Sequence, residues 1–391
     1  TPIRSNGLVN LMQSRRVCLP HRTTEPDPQP YRNISMAPPR RPRSLPELMD
    51  DLIGEILLRV PPDEPSHLIR ATLVCKPWRR ILFDPVFLRR YREFHRTPPL
   101  LGFLRFDYNE TKFISTITTS PFSTLEEFHL GLWSLWRTLD CRHGRVLYYS
   151  IDDVGFRQDL LLWDPIPGAQ QCFSMPISST ICSAAVLCVA DRCNHFDCHG
   201  GPFRVVFAGT DEDSVSWLSE YSSVAGAWSA LTSVDFSASN KVASDSYIDM
   251  RPSLFTGDAV YFFIQDGKAI LRYDLGQKGQ SVLDTSDLCV NTGSLMMAED
   301  GGLGFAGVKD YILSLWSWKA NAKGIAGWNY AKVIGFVEGT NTIVISTHAY
   351  TFTLEIKSRQ VRKVTHGLGD IVVLSYTSFY APGTSSVLDA K

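Results

Sequence analysis

The stretch LPELMDDLIGEILLRVPP, residues 45 to 62, has the period of a helix, but its apolar and polar positions are unequal in number. Asp50, Asp51, Gly54, Glu55 and Arg59 collect on one narrow face, while Leu48, Met49, Leu52, Ile53, Ile56, Leu57 and Val60 cover most of the rest. Ser44 and Glu47 fit a capping box around Pro46, and Pro61 with Pro62 ends the helix. HLIRATLVCKPWRRIL gives a second apolar pattern, ended or kinked at Pro77, and DPVFLRRYREFHR gives a third that runs to Pro98 and Pro99. Within that third segment Arg89, Arg90, Arg92 and Arg96 flank Tyr91 and Phe94 at helical spacing and read as the solvated face of a packed helix. Three short helices cannot enclose all this apolar surface by themselves, so some of it belongs to a partner.

From residue 100 the helical period disappears. Apolar strands recur at RVLYYSID (145), FRVVFAGTD (203), AVYFFIQDG (259), LGFAGVKD (303) and NTIVISTH (341). After each come an alternating strand, a turn and a return: LLLWDPIPGAQQCFSMP, WLSEYSSVAGAWSALTS, ILRYDLGQKGQSVLDTS, LSLWSWKANAKGIAGWNYAKVI and FTLEIKSRQVRKVTHG. A repeat of roughly 40 to 60 residues suits a four-stranded propeller blade. A further unit comes from LLGFLRFDYNETKFISTITTSPF, completed by the last run, IVVLSYTSFY, so that the two ends of the chain share a blade and leave no open strand edge. The expected fold is mainly β with a small all-α N-terminal domain: a three-helix unit over 44–96 and a kelch-like β-propeller of about six blades over 100–382. A seven-bladed ring or an irregular β-sandwich is the alternative. Trp133, Trp136, Trp163, Trp217, Trp228, Trp316, Trp318 and Trp328 are expected to pack between blades.

Residues 1–43, rich in Pro and Arg, and 383–391 read as disordered tails. MAPPRRPRS, beginning at Met36, reads like a natural start ahead of the folded part. With 44% hydrophobic and 20% charged residues the composition is that of a globular protein, and the net charge of -1 supplies no field favouring nucleic acid or an anionic membrane. No apolar run approaches the roughly 18 residues of a membrane span, and the first residues lack a secretory pattern, so the expected location is cytoplasmic or nuclear. Nine cysteines on uneven spacings argue for reduced thiols rather than a disulfide framework, and the Asn33 and Asn109 sequons read as chance.

LPELMDDLIGEILLRVPPDEPSHLIRATLVCKPWRRILFDPVFLRRY resembles an F-box: Leu45-Pro46, Leu52 and Ile56-Leu57, then Val74-Cys75-Lys76-Pro77-Trp78 and Asp84-Pro85-Val86-Phe87, in that order and spacing. The resemblance implies helices that dock on the Skp-type adaptor of an SCF (Skp, cullin, F-box) ubiquitin ligase and through it meet cullin and RING subunits. It implies that Leu45, Pro46, Leu52, Ile56, Leu57, Val74, Cys75 and Trp78 form or support the adaptor interface, with the β region binding the protein to be ubiquitylated. On that basis Leu57→Asp is expected to abolish adaptor binding while the propeller stays folded. DCRHGRVLYYS, LLLWDPIPG, SVAGAW, LFTGDAVYFF and LWSWKANAKGIAGW are similar to the F-box-associated C-terminal regions of large plant families, especially grass ones.

Catalytic chemistry finds little support. Gly302-Leu-Gly304-Phe-Ala-Gly307 satisfies the dinucleotide-binding spacing, yet an alternating strand follows where a helix is needed, and no acid appears from Tyr311 until Glu338. Those glycines read as small residues packed near a propeller axis. LCVADRCNHFDCHGGPF places Cys188, Cys193, His195, Cys198 and His199 within one short segment. Thiolates and imidazoles are zinc ligands, but the spacing is no paired-ligand pattern, and the plainer reading is a loop between two strands. The expectation is a non-catalytic receptor subunit without cofactor or metal. A propeller enzyme using the Cys/His loop, or an adaptor-binding protein working outside a ligase, are the alternatives.

Overall fold

The computed structural model describes residues 49–107, 110–117, 136–150, 158–179, 181–196, 198–237, 242–243, 245–285, 293–309, 312–317, 320–327, 331–369 and 372–379. The expected tails at 1–43 and 383–391, the capping pair Ser44 and Glu47, and Leu45 and Pro46 lie outside the described residues.

Four helices open the described chain where the sequence suggested three: α1 (Asp50–Leu58), α2 (Ser66–Thr72), α3 (Lys76–Leu82) and α4 (Pro85–His95). The extra one arises because the second apolar run is broken, not bent. Cys75 is extended and Pro77 enters the first turn of α3, where its missing N–H costs no hydrogen bond. Asp84 caps α4, its carboxylate accepting from Val86 N at 2.9 Å. Ile53, Leu57, Leu58, Leu68, Leu82, Phe87, Leu88 and Tyr91 form the core of the helical region. The Tyr91 hydroxyl donates to the Val60 carbonyl at 2.7 Å, and the Arg90–Glu55 pair at 2.7 Å ties α4 to α1.

The rest is a ring of six antiparallel sheets. β1 (Leu100–Asp107) and β2 (Glu110–Ser115) follow α4 and wait for the end of the chain. Blade one is β3 (Trp136–Arg142), β4 (Arg145–Ser150), β5 (Asp159–Asp164) and β6 (Ala169–Ser174). Blade two is β7 (Ile181–Cys188), β8 (Phe203–Thr210) and β9 (Ser216–Ser222), edged by the short β10 (Ala227–Trp228) and β11 (Thr232–Ser233). Blade three is β12 (Leu254–Thr256), β13 (Ala259–Ile264), β14 (Ala269–Asp274) and β15 (Gln280–Asp284). Blade four is β16 (Gly293–Met297), β17 (Leu303–Lys309), β18 (Ile312–Ser317) and β19 (Ala320–Gly327). Blade five is β20 (Lys332–Val337), β21 (Thr342–Ser346), β22 (Tyr350–Glu355) and β23 (Gln360–His366). β24 (Val373–Thr377) then pairs with β1, giving a closing sheet β2-β1-β24. The two ends of the chain therefore close the ring in one shared blade, as expected, while the outermost strand of each sheet remains a short edge.

Each core cluster of the ring lies between neighbouring blades. On β4, Val146 and Tyr148 face the closing sheet, while Leu147 and Tyr149 face blade two. Burial on both faces explains why the second strand of each blade reads as a largely apolar run, though Arg105 interrupts β1 and Arg204 interrupts β8. Of the Gly302–Gly307 segment, Leu303 onward lies in one of these second strands, β17, and not in an axial strand. Gly304 lies between the carbonyls of Met296 and Trp316, where a Cβ would come within 3.1 Å of each. Trp228, expected between blades, joins Phe173, Phe203, Phe207 and Tyr221 between blades one and two. Trp133, Trp318 and Trp328 lie outside the described residues.

Candidate functional site

Three places concentrate functional chemistry. The first is the outer face of the helical region. On α1, Ile53 and Leu57 point into the core, while Met49, Leu52 and Ile56 are 68%, 49% and 54% exposed. Positions 49, 52 and 56 share one side of a helix, so α1 has two apolar faces and buries only one. Next to the break between α2 and α3, Leu73 and Val74 are 80% and 62% exposed, and Cys75 is exposed too. The structure thus divides the sequence-derived interface set. Leu52, Ile56, Val74 and Cys75 are on the surface. Leu57, 2% exposed, is core, and Trp78 is half-buried against that core. The two inner residues can only support such a face from behind. Between α1, α3 and α4 lies a groove of about 800 Å³ whose walls include Asp50, Asp51, Glu55, Arg80 and Arg90. In it Arg90 and Arg59 hold the Glu55 carboxyl below its usual range.

The helical region packs on one end of the propeller. Phe379, just past β24, belongs to the helical core, with its ring 6.3 Å from those of Tyr91 and of Phe196 in the β7–β8 loop. At the same end, His143 and Gly144 turn β3 into β4 with φ of +53° and +74°. That is the pattern of a two-residue hairpin turn that matches strand twist. A Cβ on Gly144 would meet the His199 ring at 3.0 Å, so the turn needs glycine for space as well as for φ.

The second place is the axis. Arg142 of β3 is almost fully buried, with its guanidinium 2.5 Å from both Asp140 Oδ1 and Glu338 Oε2. It also donates to the Ser253 hydroxyl at 3.2 Å and the Ser253 carbonyl at 2.5 Å. Asp140 in turn accepts from Val186 N at 2.6 Å, and the Ser253 hydroxyl donates to the Ala184 carbonyl at 2.8 Å. One cation therefore joins blades one, two, three and five. Burial raises both carboxyls despite the arginine, and the two carboxylates more than offset the burial of Arg142. Where the innermost strands begin, at the end away from the helices, a funnel of about 560 Å³ opens between Phe106, Arg137, Ile181, Tyr247, Asp249, Arg251, Asp266 and Leu374. Its groups mix aromatic faces with both signs of charge. Arg137 lies over the Phe106 ring at 5.3 Å, and Arg251 pairs with Asp249 at 2.8 Å.

The third place is the Cys/His segment, the loop between β7 and β8. Cys188, Cys193, His195 and Cys198 converge, their ligand atoms all within 4.8 Å of one another. Spacing alone did not suggest this because Cys188 comes from the end of β7, while left-handed φ at Arg192 (+53°) and His195 (+59°) folds the loop back toward it. His199 goes elsewhere, its Nδ1 2.7 Å from Asp164 Oδ1.

Residues 45–90 match the F-box domain. No curated protein matches the chain. Among solved structures, a chain in the nidogen/laminin complex has 9% identity and a TM-score of 0.42, the alignment covering 70% of this chain and 96% of that one. A protein of unknown function from Bacteroides caccae has 11% identity and a TM-score of 0.40, covering 71% and 99%. The SapL1 lectin in complex with α-methyl fucoside has 11% identity and a TM-score of 0.37, covering 60% and 80%.

Proposed function

We propose that the chain is the substrate-recognition subunit of an SCF-type ubiquitin ligase, in the cytoplasm or nucleus. Leu52, Ile56, Val74 and Cys75, with Leu45 and Pro46, would contact a Skp-type adaptor, while Leu57 and Trp78 hold that face in shape. The observation that carries this reading is the exposed apolar stripe of α1 and the adjoining Leu73–Cys75 segment, both inside the F-box match. Apolar anchors bordered by Asp50, Asp51, Arg59 and Arg80 suit a helical partner: the anchors supply affinity, and the rim sets orientation and rate.

The helices occupy one end of the ring, which leaves the funnel at the other end free for the protein to be ubiquitylated. Propeller loops and channel mouths carry recognition on a rigid scaffold. The chain then needs no catalytic residue. Holding a lysine-bearing substrate near a ubiquitin-charged enzyme raises the effective concentration of the attacking amine. The phrases from DCRHGRVLYYS to LWSWKANAKGIAGW favour a plant F-box family whose β region has this role.

Mixing the full chain with purified Skp-type adaptor and cullin, followed by size-exclusion chromatography, tests the reading. The expected result is a single peak containing all three. Adaptor without cullin would place the chain outside a ligase, and no adaptor at all would end the proposal.

A further inference from the structure

The Cys/His cluster is built from one continuous segment, the end of β7 and the loop that leads to β8. Cys193 Sγ and Cys198 Sγ are 3.6 Å apart, and Cys198 Sγ is 3.6 Å from His195 Nδ1. Around a tetrahedral zinc ion with ordinary bond lengths, two thiolates stand roughly 3.8 Å apart and a thiolate and an imidazole nitrogen roughly 3.6 Å. Both separations therefore match edges of a coordination tetrahedron, and Cys188 completes the set of four. No disulfide joins these thiols.

We propose that Cys188, Cys193, His195 and Cys198 bind one zinc ion that fixes the β7–β8 loop. Three thiolates and one imidazole form a soft, closed tetrahedral set of the kind that holds zinc structurally and leaves no open position for catalysis. The surroundings suit that assignment. His195 N points to Cys193 Sγ at 3.4 Å, a backbone donor for a thiolate ligand. Arg145, nearly fully buried, reaches the Cys198 carbonyl and donates to the Gly201 carbonyl at 2.8 Å. Its guanidinium offsets the single negative charge that three thiolates and zinc would carry.

Ordering this loop has a consequence for the whole chain. Phe196, between the ligands His195 and Cys198, packs on the helical core and meets Phe379 edge to face at 6.3 Å. The ion would stiffen the contact through which the propeller holds the helices, and binding free energy would appear as stability of that junction.

The test begins with the full chain, purified without chelator and analysed for metal by atomic emission. One zinc per chain is expected, released by a strong chelator. Cobalt(II) added to the apo form should give the intense visible bands of tetrahedral coordination together with thiolate-to-cobalt charge transfer. Cys193→Ser and His195→Asn, both near the loop surface, should keep the far-ultraviolet circular dichroism of the wild type. Each should weaken zinc binding by roughly 100-fold or more, beyond what changes outside the ligand set cost. A full chain that retains no zinc and gives only the pale spectrum of octahedral cobalt would overturn the proposal. So would either variant binding zinc as tightly as the wild type.

Discussion

Replacing Arg142 with methionine should lower the unfolding free energy of the propeller by about 3–5 kcal/mol, because it leaves two carboxyl groups at the axis without their cation. Asp140 is buried, and Glu338 keeps only 27% of its side chain exposed, so neither can regain full hydration in the folded ring. Their partner has a shape as well as a charge. Its planar fork reaches Asp140, Glu338 and both oxygens of Ser253 at once. Lysine keeps the charge but not the fork, so Arg142→Lys should recover only part of the loss. Urea denaturation followed by tryptophan fluorescence measures both variants. A loss below about 1 kcal/mol for Arg142→Met would mean that blade packing alone holds the axis.

Leu57→Asp is the second large effect, and the structure changes its mechanism from the one the sequence suggested. Leu57 is buried and sits among Ile53, Leu68, Leu82, Phe87 and Tyr91, so a carboxylate there meets apolar neighbours rather than a partner. The expected loss exceeds about 4 kcal/mol, combining a deleted side chain with a buried charge. The helical region, marginal by its size, should unfold on the ring. Proteolysis should therefore cut within residues 50–95 while the propeller survives, and adaptor binding should disappear as a result. A variant whose helices remain protected would contradict the packing described for α1.

The propeller was legible because of its second strands. Burial on both faces makes RVLYY or AVYFFI continuous apolar words, and the repeat of those words gives the blades. The innermost strands were harder to read, since axial positions such as Asp140, Arg142, Ser183 and Ser294 interrupt their hydrophobic pattern. Asp140 and Arg142, opposite charges two residues apart on one strand face, were the available sign of the axial knot. On α1 the sequence showed an excess of apolar surface but not which residues face outward. Ile56 and Leu57 are adjacent and chemically alike, and only packing separates them. The break after α2 turned three expected helices into four, because Pro77 fits the start of a helix as well as it ends one. The Cys/His residues stood out together in the sequence, but their convergence did not, because it depends on left-handed backbone at Arg192 and His195.

The adaptor-binding role proposed for the exposed stripe of α1 rests on Leu52, Ile56 and their exposed neighbours. Isothermal titration of purified Skp-type adaptor into the full chain, beside Ile56→Asp, tests it most directly. Ile56 is half exposed, so the aspartate stays hydrated in the free protein and the fold should melt at the same temperature. Tight binding by the wild type and a loss of about 100-fold or more for Ile56→Asp are expected. Affinity within about threefold of the wild type in a correctly folded Ile56→Asp would contradict it, since a charge at the centre of an apolar interface cannot be that cheaply accommodated.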